Sequence, residues 1–371
     1  MNKFIPLAVL AAVAAACASK GGGSYDSFFG APVKNKVNIK VDSITFEKIP
    51  LPEINTSYSG FSGIFGEKIF FTDALFSYLY EFDKDGHLLG RHLGYGQSSA
   101  ELPIKSVEGY AVSDNGHHYF MGATTDIYEF DSSFNRVNAY IFLNNKKESS
   151  NRYDNTDFYP SDYGNINLVV RGGKMYMNVV SGDDVSNITT NDYYTNARII
   201  ESRNSIDGTD PQYLGRLTPA LKVMGAMQKD RFVVDEDGNF IVCYEPDSLM
   251  YVYGKNFKFR YSFGHAGKSM NTDYVTLVMS DNVYDDYLKE HEEKGWYSSV
   301  CKANGLVFRT YETGSPACQT RLQIYDGTTE IADVCAPRNF RVLGYIPPYY
   351  YSTFILDEDA ETIELYKFRI D

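Results

Sequence analysis

One stretch near the middle of the chain decides the fold. Residues 231–263 read RFVVDEDGNFIVCYEPDSLMYVYGKNFKFRYSF. Short runs of β-branched and aromatic residues alternate there with polar clusters, as is typical of half-buried strands. The first two runs meet at Asp237-Gly238, a pair that tolerates positive φ in a tight hairpin. The stretch therefore predicts four consecutive antiparallel strands that form a meander.

The same pattern recurs along the chain, which indicates a repeat architecture. The last copy contains only three strand-like runs, whereas residues 37–49 supply one spare run ahead of the first copy. Five complete units and one unit completed from the N-terminus make six. The five complete copies, including the stretch quoted above, span residues 61–94, 110–143, 167–217, 231–263 and 297–334. The incomplete last copy spans residues 340–370.

Four-stranded units arranged around a channel form a β-propeller, and closing the ring with strands from both termini removes its last exposed edge. The sequence therefore predicts an all-β, six-bladed β-propeller over residues 37–371, closed by an N-terminal strand that completes the last blade. A small helical insertion is expected near residues 272–295. A two-sheet sandwich is the alternative, but it does not explain why a short last unit accompanies a spare first strand.

The N-terminus has the pattern of an export signal. Lys3 precedes an apolar run over residues 4–16, which covers about 20 Å as a helix, whereas a hydrocarbon core is about 30 Å thick. The run ends in Ala-Ala-Ala-Cys17, which resembles a bacterial lipobox with Ala14 in place of the usual Leu. We therefore expect a signal peptide over residues 1–16, lipid attachment at Cys17, and a Gly-rich flexible tether over residues 17–36. An ordinary signal peptide cleaved nearby is the alternative.

The overall charge constrains the partners. The chain carries 48 Asp and Glu against 35 Lys and Arg, a net charge of -13, and has no basic stripe. This composition predicts no nucleic-acid partner. An acidic body is repelled by anionic lipid heads, so acyl chains would have to hold it to a membrane. The expected location is the bacterial cell envelope, with the outer membrane favoured and the body in the periplasm or on the surface.

Two neighbouring segments carry a family resemblance. Residues 82–86 read FDKDG and residues 93–102 read LGYGQSSAEL. Together they resemble a motif of six-bladed propeller lipoproteins of the NHL/TolB-like kind found in Bacteroides-type bacteria, which contain the phrase G-x-G-Q-G-P-x-E. Gln97 and Glu101 fit that phrase, while Ser98 and Ser99 replace Gly and Pro. The resemblance implies the fold and the envelope location, and it transfers no catalytic residue.

The predicted topology separates two faces of the ring. Turns between strands a and b and between c and d are short and share one face, whereas b–c turns and blade-to-blade crossings share the other. We call the latter the crossing face. It receives most of the long segments and is the expected functional face. Tyrosine suits contact with sugars or peptides, although these rings could instead only pack their own loops. The candidate ligand contacts are Tyr153, Tyr159, Tyr163, Tyr193 and Tyr194.

Linear catalytic motifs are missing from the sequence. There is no G-x-S-x-G elbow, and the helix around His291 lacks the second histidine of a zinc site. We therefore predict no catalytic residue, no metal and no cofactor. The predicted function is a lipid-anchored binding or scaffolding protein that presents its crossing face to a glycan, peptide or protein partner. The alternative is a propeller hydrolase or lactonase, which would need several carboxylate or Asn oxygens converging on a metal at the channel mouth.

The cysteines after Cys17 are Cys243, Cys301, Cys318 and Cys335. Cys301 and Cys335 fall on the first and last strands of one unit, about 14 Å apart, which is beyond disulfide reach. Cys318 precedes the third strand and lies one strand from Cys335. The sequence therefore predicts a Cys318–Cys335 disulfide, with four buried thiols as the alternative.

Overall fold

The strands of the chain form six sheets, as the repeat pattern predicts. The computed structural model describes residues 32–142, 156–158, 166–181, 197–218, 230–270 and 283–370. The body of each sheet is an antiparallel meander of one repeat unit, the units follow one another along the chain, and two of the sheets gain a strand from the N-terminal segment. The prediction of an all-β, six-bladed propeller is confirmed.

The strands have the following bounds. The N-terminal segment contains β1 (Lys36–Val41) and β2 (Glu47–Ile49). Blade 1 contains β3 (Gly60–Phe65), β4 (Lys68–Asp73), β5 (Tyr78–Asp83) and β6 (Leu88–Leu93). Blade 2 contains β7 (Val107–Val112), β8 (His118–Gly122), β9 (Asp126–Phe130) and β10 (Arg136–Ile141). Blade 3 contains β11 (Thr156–Phe158), β12 (Leu168–Arg171), β13 (Lys174–Ser181), β14 (Ile200–Asn204) and β15 (Gln212–Leu214).

The C-terminal half has the same organisation. Blade 4 contains β16 (Asp230–Val234), β17 (Phe240–Tyr244), β18 (Met250–Tyr253) and β19 (Phe259–Phe263). Helix α1 (Val283–Lys294) lies between blades 4 and 5 in sequence. Blade 5 contains β20 (Trp296–Ala303), β21 (Leu306–Glu312), β22 (Thr320–Asp326) and β23 (Thr329–Ala336). Blade 6 contains β24 (Val342–Ile346), β25 (Tyr349–Ser352), β26 (Ile355–Asp357) and β27 (Thr362–Phe368).

The N-terminal segment closes the ring. Strand β2 pairs antiparallel with β27, with Lys48 opposite Tyr366, and so supplies the strand that blade 6 lacks. Only three residues of the predicted 37–49 strand do this. Strand β1 instead runs parallel to β23 on the edge of blade 5, and just before it Val33 forms a parallel bridge to Ser262 of blade 4.

The break between the two N-terminal strands has a packing cause. Phe46 lies between them, and its ring centroid is 4.8 Å from that of Phe340 and 5.3 Å from that of Phe368. Ile44 contacts the same apolar cluster between blades 5 and 6. Seating these two side chains takes the segment off the edge of blade 5 and brings it to the edge of blade 6.

Three aspartates shape the hairpin turns. Asp83, Asp131 and Asp235 each end a strand or directly follow one, and each accepts backbone N–H groups from the residues two and four positions ahead at 2.7–3.0 Å. Such local side-chain hydrogen bonds favour turns over continued strand. Gly86 and Gly238 supply the positive φ that two of these turns require. The Asp-Gly segments are therefore hairpin turns, as the sequence predicts.

The Gly-rich motif over residues 94–102 forms a closed loop after blade 1. The N–H of Leu102 donates to the carbonyl of Gly94 at 2.9 Å, and the carboxylate of Glu101 accepts the N–H of Ser98 at 2.9 Å. A Cβ at Gly96 would lie 2.2 Å from that carboxylate. The residues of the motif thus hold their own loop in place.

Neighbouring blades pack through apolar clusters, and a buried arginine lies between two of the blades. Arg309 is fully buried between blades 4 and 5. Its guanidinium donates to the carbonyls of Ser248 and His265 at 2.8 and 2.6 Å and lies 3.9 Å over the ring of Tyr297. Its hydrogen bonds and ring contact offset the cost of burying the charge.

The helical insertion is present. Helix α1 ends at Lys294 and is followed by Gly295, whose φ of 82° is the left-handed conformation that glycine adopts after helices. A Cβ there would lie 2.3 Å from the carbonyl oxygen of Glu312, so a side chain would clash with blade 5. Within the described ranges, the structure contains no helix that is both long and apolar enough to span a bilayer.

The structure joins Cys318 to Cys335, with Cα atoms 5.8 Å apart. Cys243 and Cys301 are free thiols, and Cys243 is buried. Whether the protein carries the Cys318–Cys335 bond in the cell stays a prediction that peptide mapping can test.

Candidate functional site

A cavity of about 650 Å³ lies at one end of the central channel. We call it the channel mouth. The innermost strands of all six blades contribute to its wall, so the whole ring converges on it. The lining residues on or beside these strands are Gly60, Phe61, Ser62, Tyr110, Ile166, Asn167, Leu168, Arg231, Phe232, Ser298, Ser299, Val300, Asn339, Arg341 and Val342.

The channel mouth opens on the crossing face. Several of its lining residues, among them Ile166, Asn167 and Arg341, lie just before the start of an innermost strand, where the chain arrives from the preceding blade. The connection between β25 and β27 also contributes, through Thr353 to Glu358. Because b–c connections and crossings share a face, both groups of residues identify the same end of the channel.

Two arginines give the channel mouth its charge. Arg231 is the second residue of β16, and Arg341 directly precedes β24. Burial lowers the pKa of Arg341 to about 10, so its guanidinium stays protonated at neutral pH. Glu358 is the one acidic residue among the lining residues that the structure describes, and it is exposed. Charged side chains of both signs therefore stand among the described lining residues.

Acidic groups next to Arg231 are deeply buried. Nη2 of Arg231 is 3.9 Å from Oε1 of Glu245, whose other oxygen is 3.3 Å from Nε2 of His291. The side chain of Glu245 is only 1% exposed, so it lies behind Arg231. Asp230 is also buried, and desolvation raises its pKa to about 8, which keeps most of this carboxyl neutral at pH 7.

Helix α1 contributes to this arrangement. The ring of His291 stacks on that of Trp296, with centroids 4.7 Å apart and planes 7° apart. The stack fixes the imidazole, which in turn contacts the carboxylate of Glu245. The helix that the sequence predicts thus reaches the charged part of the channel mouth through His291.

Uncharged polar groups in the wall are held by the surrounding strands. The side-chain amide of Asn167 donates to the carbonyl of Phe232 at 3.1 Å. Ser62 accepts the N–H of Phe354 at 2.9 Å, and the hydroxyls of Ser298 and Thr310 are 3.0 Å apart. These contacts fix the wall before any ligand arrives, so the site is preorganised.

The channel mouth has no metal-binding group among the residues that the structure describes. In those ranges, no three His, Cys, Asp or Glu side chains come together in a way that could hold a metal ion. The cavity can instead bind negatively charged groups and hydrogen-bonding groups, through its guanidinium, amide and hydroxyl groups.

The sequence-predicted contacts and the observed cavity involve different residues. The cysteine predicted to carry lipid and the tyrosines predicted to contact ligand lie outside the described residues: Cys17, Tyr153, Tyr159, Tyr163, Tyr193 and Tyr194. Sequence reasoning missed Arg231 and Arg341, which are far apart in the chain and carry no motif. Their common signal is position, since each lies at the beginning of the first strand of its unit.

Two solved structures share this fold. A Bacteroides vulgatus protein of the DUF4221 family aligns with a TM-score of 0.63 and 12% identity, over 91% of this chain and 99% of that one. A Bacteroides fragilis protein that is assigned as exported aligns with a TM-score of 0.56 and 12% identity, over the same shares of the two chains. No protein-family model matches the chain, and no curated protein matches it in sequence.

Proposed function

We propose that the protein is a lipid-anchored binding or scaffolding protein of the bacterial envelope, and that its partner contacts the crossing face at the channel mouth. The partner class is a glycan, a peptide or a protein. The observation that carries this proposal is the cavity of about 650 Å³ on which six blades converge. Preformed concave sites with a few fixed polar groups are where proteins bind small ligands or parts of larger ones.

Two further observations support the envelope location. The first 16 residues have the pattern of a secretory signal and precede Cys17. One of the proteins with the same fold is assigned as exported.

The NHL/TolB-like affiliation belongs to the same proposal and is supported by the motif over residues 94–101.

The anchor is tested by replacing the acceptor thiol. Cys17→Ala should move the full-length protein from the detergent phase to the aqueous phase in a detergent-partitioning experiment, because no acyl chain can attach. The Cys301→Ala variant is the matched control, and it should partition like the wild type. An unchanged distribution of Cys17→Ala would argue for another mode of attachment.

The binding face is tested by obstructing the channel mouth. Glu358 and Asp359 are adjacent exposed residues of one turn, but only Glu358 lines the cavity. On an array of glycans and peptides, Glu358→Trp should lose the binding that the mature wild-type chain shows. Asp359→Trp removes the same charge and adds the same ring, and it should retain binding. Equal binding by both variants would place the interaction elsewhere on the protein.

The hydrolase alternative lacks a supporting observation. It requires oxygen ligands that converge on a metal, and among the described residues no three His, Cys, Asp or Glu side chains come together in that way. We therefore do not carry it further as a proposal.

A further inference from the structure

We propose that residues 33–40, on the outer edge of blades 4 and 5, contact an anionic phospholipid surface. Lysine side chains of this segment bind the lipid phosphates, and apolar side chains beside them enter the headgroup layer. We call the segment the basic edge. The inference rests on the proposed lipid anchor and adds a second contact, which orients the propeller on the membrane.

The charge of the basic edge is opposite in sign to that of the whole chain. The protein has a net charge of -13, whereas residues 32–41 contain three lysines and no acidic residue. Lys36 and Lys40 are exposed, and neither forms an ion pair with a residue that the structure describes. Lys34 is also exposed, and its Nζ lies 4.3 Å over the ring of Tyr261.

Acidic side chains near the basic edge do not cancel this charge. Glu330 of β23, which runs beside β1, is buried, and burial raises the pKa of its carboxyl. Asp333 of the same strand forms an ion pair with Arg321 at 2.7 Å. Two exposed carboxylates remain at the ends of these strands, Asp42 after β1 and Asp326 before the turn into β23.

The outer strand of blade 4 adds positive charge. The N-terminal segment bridges to this strand, β19, just before β1 begins. Residues 248–270 contain four Lys and Arg side chains and no acidic residue. Lys255 lies against the hairpin turn that carries the acidic residues 236–237, so its charge is offset. Lys258 and Arg260 are exposed and extend the positive surface beyond the segment itself.

Exposed apolar side chains accompany the lysines. Val33, Val37 and Ile39 are 53%, 56% and 46% exposed. The edge of β1 away from β23 pairs with no strand in the part of the chain that the structure describes. Successive side chains of a strand point to opposite sides, so valine and isoleucine flank one side of this free edge and lysines the other. Buried apolar area and attraction to anionic lipid both strengthen binding to a membrane surface.

The position of the basic edge in the chain favours a membrane as the occupant. Fourteen residues separate Cys17 from Pro32, so a lipid on Cys17 lies at most about 50 Å from the segment. Such a tether gives the basic edge a high effective concentration at the membrane. A second copy of the chain fits less well, because pairing two β1 edges would bring like charges together.

This contact places the ring edge-on to the membrane. The acidic remainder of the protein is screened where it lies more than about 8–10 Å from the lipid. Because the contact uses outer strands, both ends of the central channel stay open. The channel mouth therefore remains accessible to its partner.

The test uses the mature chain, residues 17–371, produced without acyl chains, so that binding does not depend on the anchor. Its cosedimentation with phosphatidylcholine vesicles is compared with that for vesicles containing about 30% phosphatidylglycerol, at low salt. The partition constant should be about tenfold or more larger with phosphatidylglycerol, and it should fall at high salt because attraction is screened. Equal partitioning into both kinds of vesicle, or none into either, would overturn the inference.

A triple variant connects the preference to the basic edge. Each lysine that reaches an anionic surface contributes about fivefold to the partition constant. The variant with Lys34→Gln, Lys36→Gln and Lys40→Gln should therefore bind phosphatidylglycerol vesicles about tenfold to a hundredfold more weakly. A control removes the same charge from exposed lysines elsewhere, two of which pair with glutamates, and should bind normally; it carries Lys48→Gln, Lys105→Gln and Lys289→Gln. Equal binding by the two variants would refute the assignment.

The apolar contribution is measured at unchanged charge. Val37→Ser combined with Ile39→Ser should weaken binding by about threefold to tenfold, because less apolar area enters the lipid. Leu88→Ser combined with Leu89→Ser changes two similarly exposed residues of blade 1 and should have no effect. The same result for both pairs would contradict entry of the basic edge into the headgroup layer.

The outcome is separable from that of the proposed function. If Cys17→Ala stays in the detergent phase while the unlipidated chain prefers anionic vesicles, the anchor is wrong and the basic edge is correct. If Cys17→Ala leaves the detergent phase while the unlipidated chain ignores anionic vesicles, the anchor is correct and the inference is wrong. Dimers in sedimentation that the triple lysine variant abolishes, without vesicle binding, would identify a second copy as the occupant and also overturn it.

Discussion

Ring closure by the N-terminal segment can be tested at one residue. Ile49 is 2% exposed and belongs to the apolar cluster that contains Phe82 and Leu365. It also pairs with Leu365 across the β2–β27 ladder. Truncating a buried Ile to Ala costs about 2–5 kcal/mol, from lost transfer free energy and the cavity left behind. We expect Ile49→Ala to lower the free energy of unfolding by that amount.

The assay is urea unfolding followed by the fluorescence of Trp296, the single tryptophan of the chain. Val37 in β1 is the matched control, because it lies in the same N-terminal segment and is 56% exposed. Val37→Ala should change the free energy of unfolding by less than about 0.5 kcal/mol. If Ile49→Ala behaves like Val37→Ala, the N-terminal strand does not close the ring and the blade count loses its support.

Two further predictions concern the buried carboxyl of Asp230 and the Cys318–Cys335 disulfide. Desolvation raises the pKa of Asp230 to about 8 from 3.8, so the folded state keeps a proton that the unfolded state loses between these values. The free energy of unfolding should therefore fall by about 1 kcal/mol for each unit that the pH rises within this window. In urea unfolding, Asp230→Asn should accordingly stabilise the protein more at pH 8 than at pH 5. A pH-independent effect would contradict this reasoning. For the disulfide, Cys318→Ala opens a loop of sequence separation 17 and should cost about 3 kcal/mol without reductant but much less with it. Peptide mapping that recovers alkylated Cys335 from the unreduced wild type would show that the bond is absent.

The fold could be predicted because the strand pattern repeats. Runs of alternating residues marked the strands, and Asp237-Gly238 and its counterparts marked the hairpins. Because the last unit is one strand short and a spare strand precedes the first unit, closure of the ring by the N-terminus could be predicted. The division of residues 37–49 between two blades could not be predicted, since both strand segments have strand-like sequences. Ile44 and Phe46 separate the two strands because they pack, partly buried, between blades 5 and 6, and that contact depends on the assembled ring.

The channel mouth was harder to predict than the fold. Arg231 and Arg341 become neighbours of one cavity only because strand starts from different blades converge on it. Neither residue stands in a motif, so local sequence gave no signal for them. Comparing the same position across all six units would have drawn attention to the strand starts. The tyrosine-rich segments remain sequence predictions.

The course of the N-terminal segment has a mechanical consequence. From Val33 it touches blade 4, then lies along the edge of blade 5, and then enters blade 6. Where tension from residue 32 acts along β1, the hydrogen bonds between β1 and β23 resist it in shear as a group. A force on the N-terminal segment would thus be shared among blades 4, 5 and 6. The β2–β27 pairing that closes the ring would be the last of the three contacts to bear it.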